Sequence, residues 1–172
     1  MTALTDAADA DVLYIVDDPA SSALPRKITY QNVVRRAYGE VSVTDGSTAQ
    51  TISATTWTKL TCFDTNGLSK QATNSHANDK ITVTDAGVYF VELCASYATN
   101  QALSADLAIY YNGSATQGKS SITTLANFNA STSINSIVNV ASGGTDFEAY
   151  VYLSLGANIT VKHAALSVLR IA

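Results

Sequence analysis

The chain has 172 residues, a length that allows one compact domain with a short appendage and excludes two large domains. Apolar residues make up 47% of the sequence and charged residues 14%, so a core is well supplied and most of the polar surface must be uncharged. A net charge of -4 does not supply the cationic surface that attracts nucleic acid or an anionic membrane, so neither partner is expected. No apolar run approaches the roughly 18–20 residues that cross a bilayer, so no membrane insertion is expected.

The first 38 residues differ in composition from the rest, because they hold both prolines and many of the charged side chains. Residues 1–11 carry three carboxylates and no secretory signal, so we expect the chain to mature in the compartment where it is made. The apolar run at residues 12–16 predicts a strand, and Ile28–Arg36 predicts a short helix with Thr29 as its N-cap. One strand and one short helix cannot enclose a core, so this strand-plus-helix arm must dock on another surface.

Residues 39–172 form short alternating runs of Val, Ile, Tyr and Thr, separated by turn dipeptides such as Asn112-Gly113 and Gly143-Gly144. This pattern predicts an all-β domain. Eight to ten antiparallel strands in a sandwich or jelly roll suit its length. The strands are expected near residues 39–44, 48–54, 57–63, 80–84, 88–98, 105–111, 118–126, 134–140, 146–155 and 158–171.

One predicted strand has two apolar faces. Phe147, Val151 and their neighbours form one face, and Tyr150 and Tyr152 form the other. A strand of a two-layer sandwich normally has one face in water, so the tyrosine face requires a second cover, which an identical chain would supply. Tyr150 and Tyr152 are therefore the predicted trimer interface; the alternative is two tyrosines whose hydroxyls remain in solvent.

The residues needed for catalysis do not form a recognisable set. The two histidines, His76 and His163, accompany no G-x-S-x-G motif, and the sequence cannot pair the carboxylates that a glycosidase would need. Glycine motifs for phosphate are absent, and Cys62 and Cys94 have no metal-ligand spacing, so both are predicted to be buried free thiols. The sequence thus predicts no enzyme activity, no cofactor and no metal site.

Several segments resemble the tumour-necrosis-factor and complement globular-head superfamily. Gly87-Val-Tyr-Phe90 is similar to a characteristic strand of that family, and the segments at residues 56–64, 107–113 and 166–171 agree with its other strands in order. The resemblance covers most of residues 40–172. It implies a ten-stranded jelly roll that assembles as a tight homotrimer.

The N-terminal segment resembles a different group. Residues 9–19 and 26–34 are similar to the N-terminal segments of tail fibres, head fibres and decoration proteins of tailed bacteriophages. That resemblance implies that residues 1–38 dock on a phage capsid or tail structural protein. The predicted docking residues are the apolar side chains of the arm: Leu13, Tyr14, Ile15, Val16, Ile28, Tyr30, Val33 and Val34.

These observations predict a non-enzymatic structural protein that is assembled in the host cytoplasm and displayed on the virion surface, with residues 39–172 as a trimeric head. A capsid decoration protein or short head fibre is favoured, because the chain has no shaft. The alternative is a receptor- or carbohydrate-binding tip of a tail fibre, in which Tyr110 or Tyr111 stacks on a host surface glycan. A glycan-cleaving enzyme is a third hypothesis.

Overall fold

The computed structural model describes residues 12–15, 26–29 and 36–172. The chain divides into two units, Met1–Arg35 and Arg36–Ala172. In the first unit, β1 (Val12–Ile15) pairs antiparallel with β2 (Arg26–Thr29). The strand predicted to begin at Val12 is therefore confirmed over four residues.

The predicted helix from Ile28 to Arg36 is wrong at both of its described ends. Ile28 and Thr29 belong to β2, where they pair with Leu13 and Val12, and Arg36 lies in neither a helix nor a strand. Both Ile28 and Thr29 are β-branched, and such residues favour extended backbone once a partner strand accepts their hydrogen bonds. The remainder of the predicted helix lies outside the described residues.

Twelve strands follow in the second unit, and their bounds are β3 (Tyr38–Val43), β4 (Ala49–Ile52), β5 (Thr58–Lys59), β6 (Thr65–Asn66), β7 (Ala72–Ser75), β8 (Lys80–Val83), β9 (Gly87–Thr99), β10 (Leu103–Tyr111), β11 (Ser114–Thr124), β12 (Asn129–Val140), β13 (Thr145–Leu153) and β14 (Ala157–Arg170). A single 3₁₀ turn, His76–Asn78, is the one helical element of the described residues. The all-β prediction is confirmed.

The strands form two antiparallel sheets. Sheet I has the order β11-β10-β13-β8-β7, with β5 beside β13, and sheet II has the order β12-β9-β14-β3-β6, with β4 beside β14. From β8 to β14 the chain crosses repeatedly between the sheets, which makes the sandwich a jelly roll. Two strands beyond the predicted number, β6 and β7, escape sequence analysis because they are short, polar and without alternation.

The core lies between the two sheets. Alternate residues of β13, including Phe147 and Val151, have no exposed surface, and they face the equally buried Tyr89, Val91 and Leu93 of β9. The core face predicted for β13 is thus confirmed. A period of two residues explains the pattern, because successive side chains of a strand point to opposite faces.

Both cysteines are free thiols, but they are not both buried. Cys62 is half-buried and packs against the core, and burial raises its pKa to about 12. Cys94 is exposed, which corrects the prediction. It occupies an outward position of β9, between the inward Leu93 and Ala95, so the apolar run around it belongs to the other face of the strand.

Candidate functional site

Four aromatic rings gather on the outer face of sheet I, and we call them the aromatic cluster: Trp57, Tyr110, Tyr150 and Tyr152. The Trp57 ring lies 5.6 Å from Tyr152 and 6.1 Å from Tyr110, measured between ring centroids. Tyr110 stacks on Tyr150 with a centroid distance of 3.9 Å and an interplanar angle of 19°. All four side chains are half-buried, so each ring keeps some surface in water.

The aromatic cluster has a buried floor of its own. Ala108 points to the outer face of β10, where it is 0% exposed although it is not part of the core between the sheets. Its partners across the neighbouring strands are Tyr150 and Lys119. The Lys119 ammonium lies 5.1 Å from the centroid of the Trp57 ring, a distance at which a cation is attracted to an aromatic face. The cluster is therefore a small apolar layer on top of the sheet.

Trp57 reaches the cluster from the loop between β4 and β5. This loop is tied to the end of β13 by a hydrogen bond from the Thr55 amide to the Leu153 carbonyl, 2.9 Å long, and by a bridge from Ala54 to Leu153. Thr55 has a φ of 53°, in the left-handed region that a β-branched residue rarely adopts. The backbone thus makes an unfavourable turn just before the tryptophan.

Charged side chains lie around the cluster on the same sheet face. Glu148, the cross-strand partner of Tyr110, forms an ion pair of 2.5 Å with Lys59. Asp106 is the cross-strand partner of Tyr152. Partial burial of Tyr150, and then the charge of Glu148, raise the pKa of its phenol, so the hydroxyl is protonated at neutral pH.

The predicted trimer residues Tyr150 and Tyr152 are therefore placed together, as the sequence indicated. Trp57 and Tyr110 of the same chain supply part of their cover, so an identical neighbour is not required for it. Their role in a trimer stays a prediction. Sequence analysis missed Trp57, although a tryptophan that occurs only once in the chain was a signal available to it.

The other tyrosine considered for sugar stacking, Tyr111, is not part of the cluster. Its ring lies 6.5 Å from Phe147 and packs against the core. The difference follows from the pleat of β10, which sends Tyr110 outward and Tyr111 towards the end of the core.

The outer face of sheet II carries a second unusual surface, which we call the apolar row. It consists of Ile137, Phe90, Leu169 and Tyr38, each of which is the cross-strand partner of the next across β12, β9, β14 and β3. Ile137 is 69% exposed, and Leu169 and Tyr38 are each 38% exposed. Phe90 is half-buried, and the other three are more exposed than any ring of the aromatic cluster.

A shallow depression of about 550 Å³ lies further along the same face. Small side chains form it, including Ser133, Cys94 and Ala165, which are successive cross-strand partners on β12, β9 and β14. A row of small residues lets another backbone approach a sheet closely. The apolar row and the depression together make the outer face of sheet II a candidate contact surface.

Three of the carboxylates considered for catalysis lie beside cations. Asp146 and Glu148 pair with Lys80 and Lys59, and Asp85 lies 4.0 Å from Arg170. His163 is exposed on β14, and His76 begins the 3₁₀ turn. Among the described residues, no three His, Cys, Asp or Glu side chains are placed to hold a metal ion.

Four of the predicted docking residues lie in the strands of the first unit, and the other four lie outside the described residues. Leu13, Tyr14 and Ile15 are in β1 and Ile28 is in β2, where Leu13 pairs with Ile28. The remaining four, Val16, Tyr30, Val33 and Val34, lie outside the described residues. The docking role stays a prediction.

Within the described part of the chain, no helix has the length and apolarity needed to cross a membrane.

The comparisons with known proteins concern the fold. No protein-family model matches the chain, and no curated protein sequence matches it significantly. Among solved structures, murine APRIL at pH 5.0 is similar with a TM-score of 0.57 and 9% identity, over 80% of this chain and 100% of that one. The globular domain of the zebrafish complement 1qA protein is similar with a TM-score of 0.51 and 14% identity, over 79% of this chain and 98% of that one. The second unit therefore shares the jelly-roll fold of these two heads, in agreement with the resemblance found in its strands.

Proposed function

We propose that this protein is a non-enzymatic structural protein of a tailed phage, whose second unit assembles as a homotrimeric head and whose first unit docks on the particle. The observation that carries the head's role is the apolar row on sheet II. The row places four apolar side chains in one line across four strands. Leaving such a surface exposed to water is unfavourable. An identical chain is the simplest cover, since each chain of a cyclic trimer can place a second patch of its surface on the row of its neighbour.

Two surfaces compete as the trimer contact. The aromatic cluster contains the residues predicted from the sequence, Tyr150 and Tyr152, but Trp57 already covers them in part. The apolar row offers more exposed side chains, and the small residues beside it allow close approach. We favour sheet II for this reason, with the Tyr150–Tyr152 surface as the alternative contact.

Sedimentation of three variants tests the assembly. Ile137→Asp places a charge at a position that is 69% exposed in the single chain, so it should leave the fold intact and dissociate the trimer. Leu155→Asp is the matched control for the apolar row, because Leu155 is 51% exposed in the loop between β13 and β14, outside the strands that carry the row, and this variant should remain a trimer.

Tyr152→Asp decides between the surfaces. Dissociation by this change, with Ile137→Asp still trimeric, would assign the contact to the aromatic cluster. A wild-type chain that sediments as a monomer at micromolar concentration would contradict the trimer altogether.

The virion role is supported by the resemblance of residues 9–19 and 26–34 to the N-terminal segments of phage structural proteins. Three weakly binding arms on one trimer would attach firmly through effective concentration. Removing residues 1–35 tests this role, since Ala37 belongs to the core and must be kept. The truncated head should assemble but be missing from particles purified from host lysate, whereas the full chain should be visible on their surface by electron microscopy. Absence of the full chain from particles would refute the virion role.

The alternative, a receptor- or carbohydrate-binding tip of a tail fibre, is supported by the aromatic cluster. Electron microscopy separates it from capsid decoration, because a tip protein would be found at the tail and not at the head.

A further inference from the structure

We propose that the aromatic cluster on sheet I is a binding site for a neutral oligosaccharide, with one pyranose ring lying against Trp57 and Tyr152. The proposal does not depend on the virion role, and it requires that assembly leaves the aromatic cluster uncovered. It names a ligand class and a site for a face that the assembly through sheet II would leave free.

The rings form a platform of the right chemistry. A pyranose has an apolar face of C–H groups, which packs favourably on an aromatic ring, and hydroxyls around its edge. Trp57 lies 5.6 Å from Tyr152 and 6.1 Å from Tyr110, with its ring tilted by 45° and 49° to theirs, so the three rings adjoin at an angle. An aromatic platform with few polar groups beside it is the usual composition of a small-molecule site.

Hydrogen-bond acceptors lie where the edge of a sugar would be. Asp106 is directly across from Tyr152, and it forms no ion pair with another described residue. Glu148 is across from Tyr110 and is held by Lys59. Stacking on the aromatic rings does not fix how a sugar ring is rotated. Carboxylates accept strong hydrogen bonds from hydroxyls, so these two groups can fix the orientation of the sugar.

The charges around the rings balance, which suits a neutral ligand. Glu148 is paired with Lys59, the cross-strand partner of Tyr150, and the remaining carboxylate, Asp106, is accompanied by Lys119, at 5.1 Å from Trp57. A second copy of this chain is a weaker candidate for the occupant, because the apolar row on sheet II is more exposed and less covered.

The backbone before Trp57 gives independent support. A non-glycine residue in the left-handed region is unfavourable and persists where the surrounding structure fixes it, which is often at a binding site. Thr55 has this conformation, with a φ of 53°, and its amide is bonded to Leu153. The loop thus holds the tryptophan on the surface at a cost to stability. Thr55 acts as a positioning residue.

The fluorescence of Trp57, the one tryptophan of the chain, can be used to measure sugar binding at this site. Full-length protein is titrated with maltohexaose, cellohexaose, laminarihexaose and N-acetylchitohexaose while the tryptophan emission is recorded. At least one of these should cause a saturable blue shift, since a sugar ring removes water from the indole. No saturable shift with any of the four would overturn the proposal.

Isothermal titration with the responding sugar then compares variants whose melting curves match wild type. Trp57→Ala and Tyr152→Ala should each weaken binding about tenfold or more, the loss expected for one aromatic contact. Tyr38→Ala, which removes an exposed tyrosine from sheet II, is the control and should bind as wild type does. Unchanged affinity in Trp57→Ala or Tyr152→Ala would place the sugar elsewhere and refute the site. Thr55→Asn favours the same left-handed backbone and keeps Trp57, so it should fold at least as stably and bind as wild type does.

Discussion

Asp79 links two loops of the second unit at the level of a single side chain. It follows the 3₁₀ turn with a φ of 49°, and its carboxylate accepts a hydrogen bond of 3.0 Å from the buried amide of Phe63. Burial raises the pKa of this carboxyl, while the bond from Phe63 and the charge of Lys59 oppose the rise. The hydrogen bond from the Phe63 amide thus offsets part of the free-energy cost of burying the Asp79 carboxylate.

Replacing Asp79 tests this account. Asp79→Ala leaves the Phe63 amide without its partner and puts alanine in the left-handed region, so the free energy of unfolding should fall by about 2–4 kcal/mol. Asp79→Asn keeps an acceptor and tolerates that backbone, so its loss should be clearly smaller. Urea unfolding at pH 7 measures both. Equal losses in the two variants would show that the charge, and not the bond to Phe63, stabilises this site.

The strand β13 shows how one element serves two purposes. Its inward residues complete the core, while its outward residues run from the ion pairs at Asp146 and Glu148 to the rings of Tyr150 and Tyr152. Asp146 lies 2.8 Å from the Lys80 ammonium and accepts a hydrogen bond of 2.5 Å from the Thr82 hydroxyl. Partial burial acts to raise its pKa, but these two bonds outweigh burial and bring the pKa below its ordinary value.

A lowered pKa in the folded state gives the sign of the pH dependence. The carboxylate of Asp146 stabilises the fold above its unfolded pKa of about 3.9, and this contribution is lost as the pH falls through the lower folded pKa. Asp146→Asn should therefore unfold about 0.5–1 kcal/mol more easily than wild type at pH 6. The difference should shrink in acid. A difference that stays constant from pH 6 into the acid transition would show that the charge of Asp146 is not responsible.

For a single strand, the sequence predicted the features that depend on the alternation of inward and outward side chains. The core face of β13 and the presence of its outward tyrosines followed from a period of two residues. The position of Trp57 did not, because it depends on a loop whose strained turn at Thr55 has no sequence signature. The helix predicted from Ile28 failed because pairing between β1 and β2, which joins residues far apart in sequence, outweighed a local N-cap signal.

The surfaces of the whole molecule are harder to predict than its strands. Each of the four strands of the apolar row contributes one residue, so no single segment of sequence contains the pattern. Sequence analysis instead assigned the uncovered face to β13, where two tyrosines are close together. The two sheets therefore divide the proposed roles, with sheet II for assembly and sheet I for a ligand.

Cys94 provides a chemical probe of this division. It is exposed on the outer face of sheet II, in the depression four residues along β9 from Phe90 of the apolar row, whereas burial raises the pKa of Cys62 to about 12 and protects that thiol. In a Cys62→Ala background only Cys94 can react with a maleimide. A trimer that uses sheet II should cover it, so the wild-type assembly should react about tenfold or more slowly than the Ile137→Asp monomer, and a kinetic assay by mass spectrometry measures the ratio.

The control is Leu155→Asp, which should remain trimeric and as slow as wild type. Burial and the charge of Glu92 raise the pKa of Cys94 in the single chain, so both forms must be compared at one pH to separate coverage from thiolate content. Equal rates in the wild-type assembly and in Ile137→Asp would mean that sheet II stays open to solvent after assembly. The contact would then have to lie elsewhere. Because Tyr150 and Tyr152 are the predicted alternative, that outcome would also place a neighbouring chain over the aromatic cluster and leave no room there for a sugar.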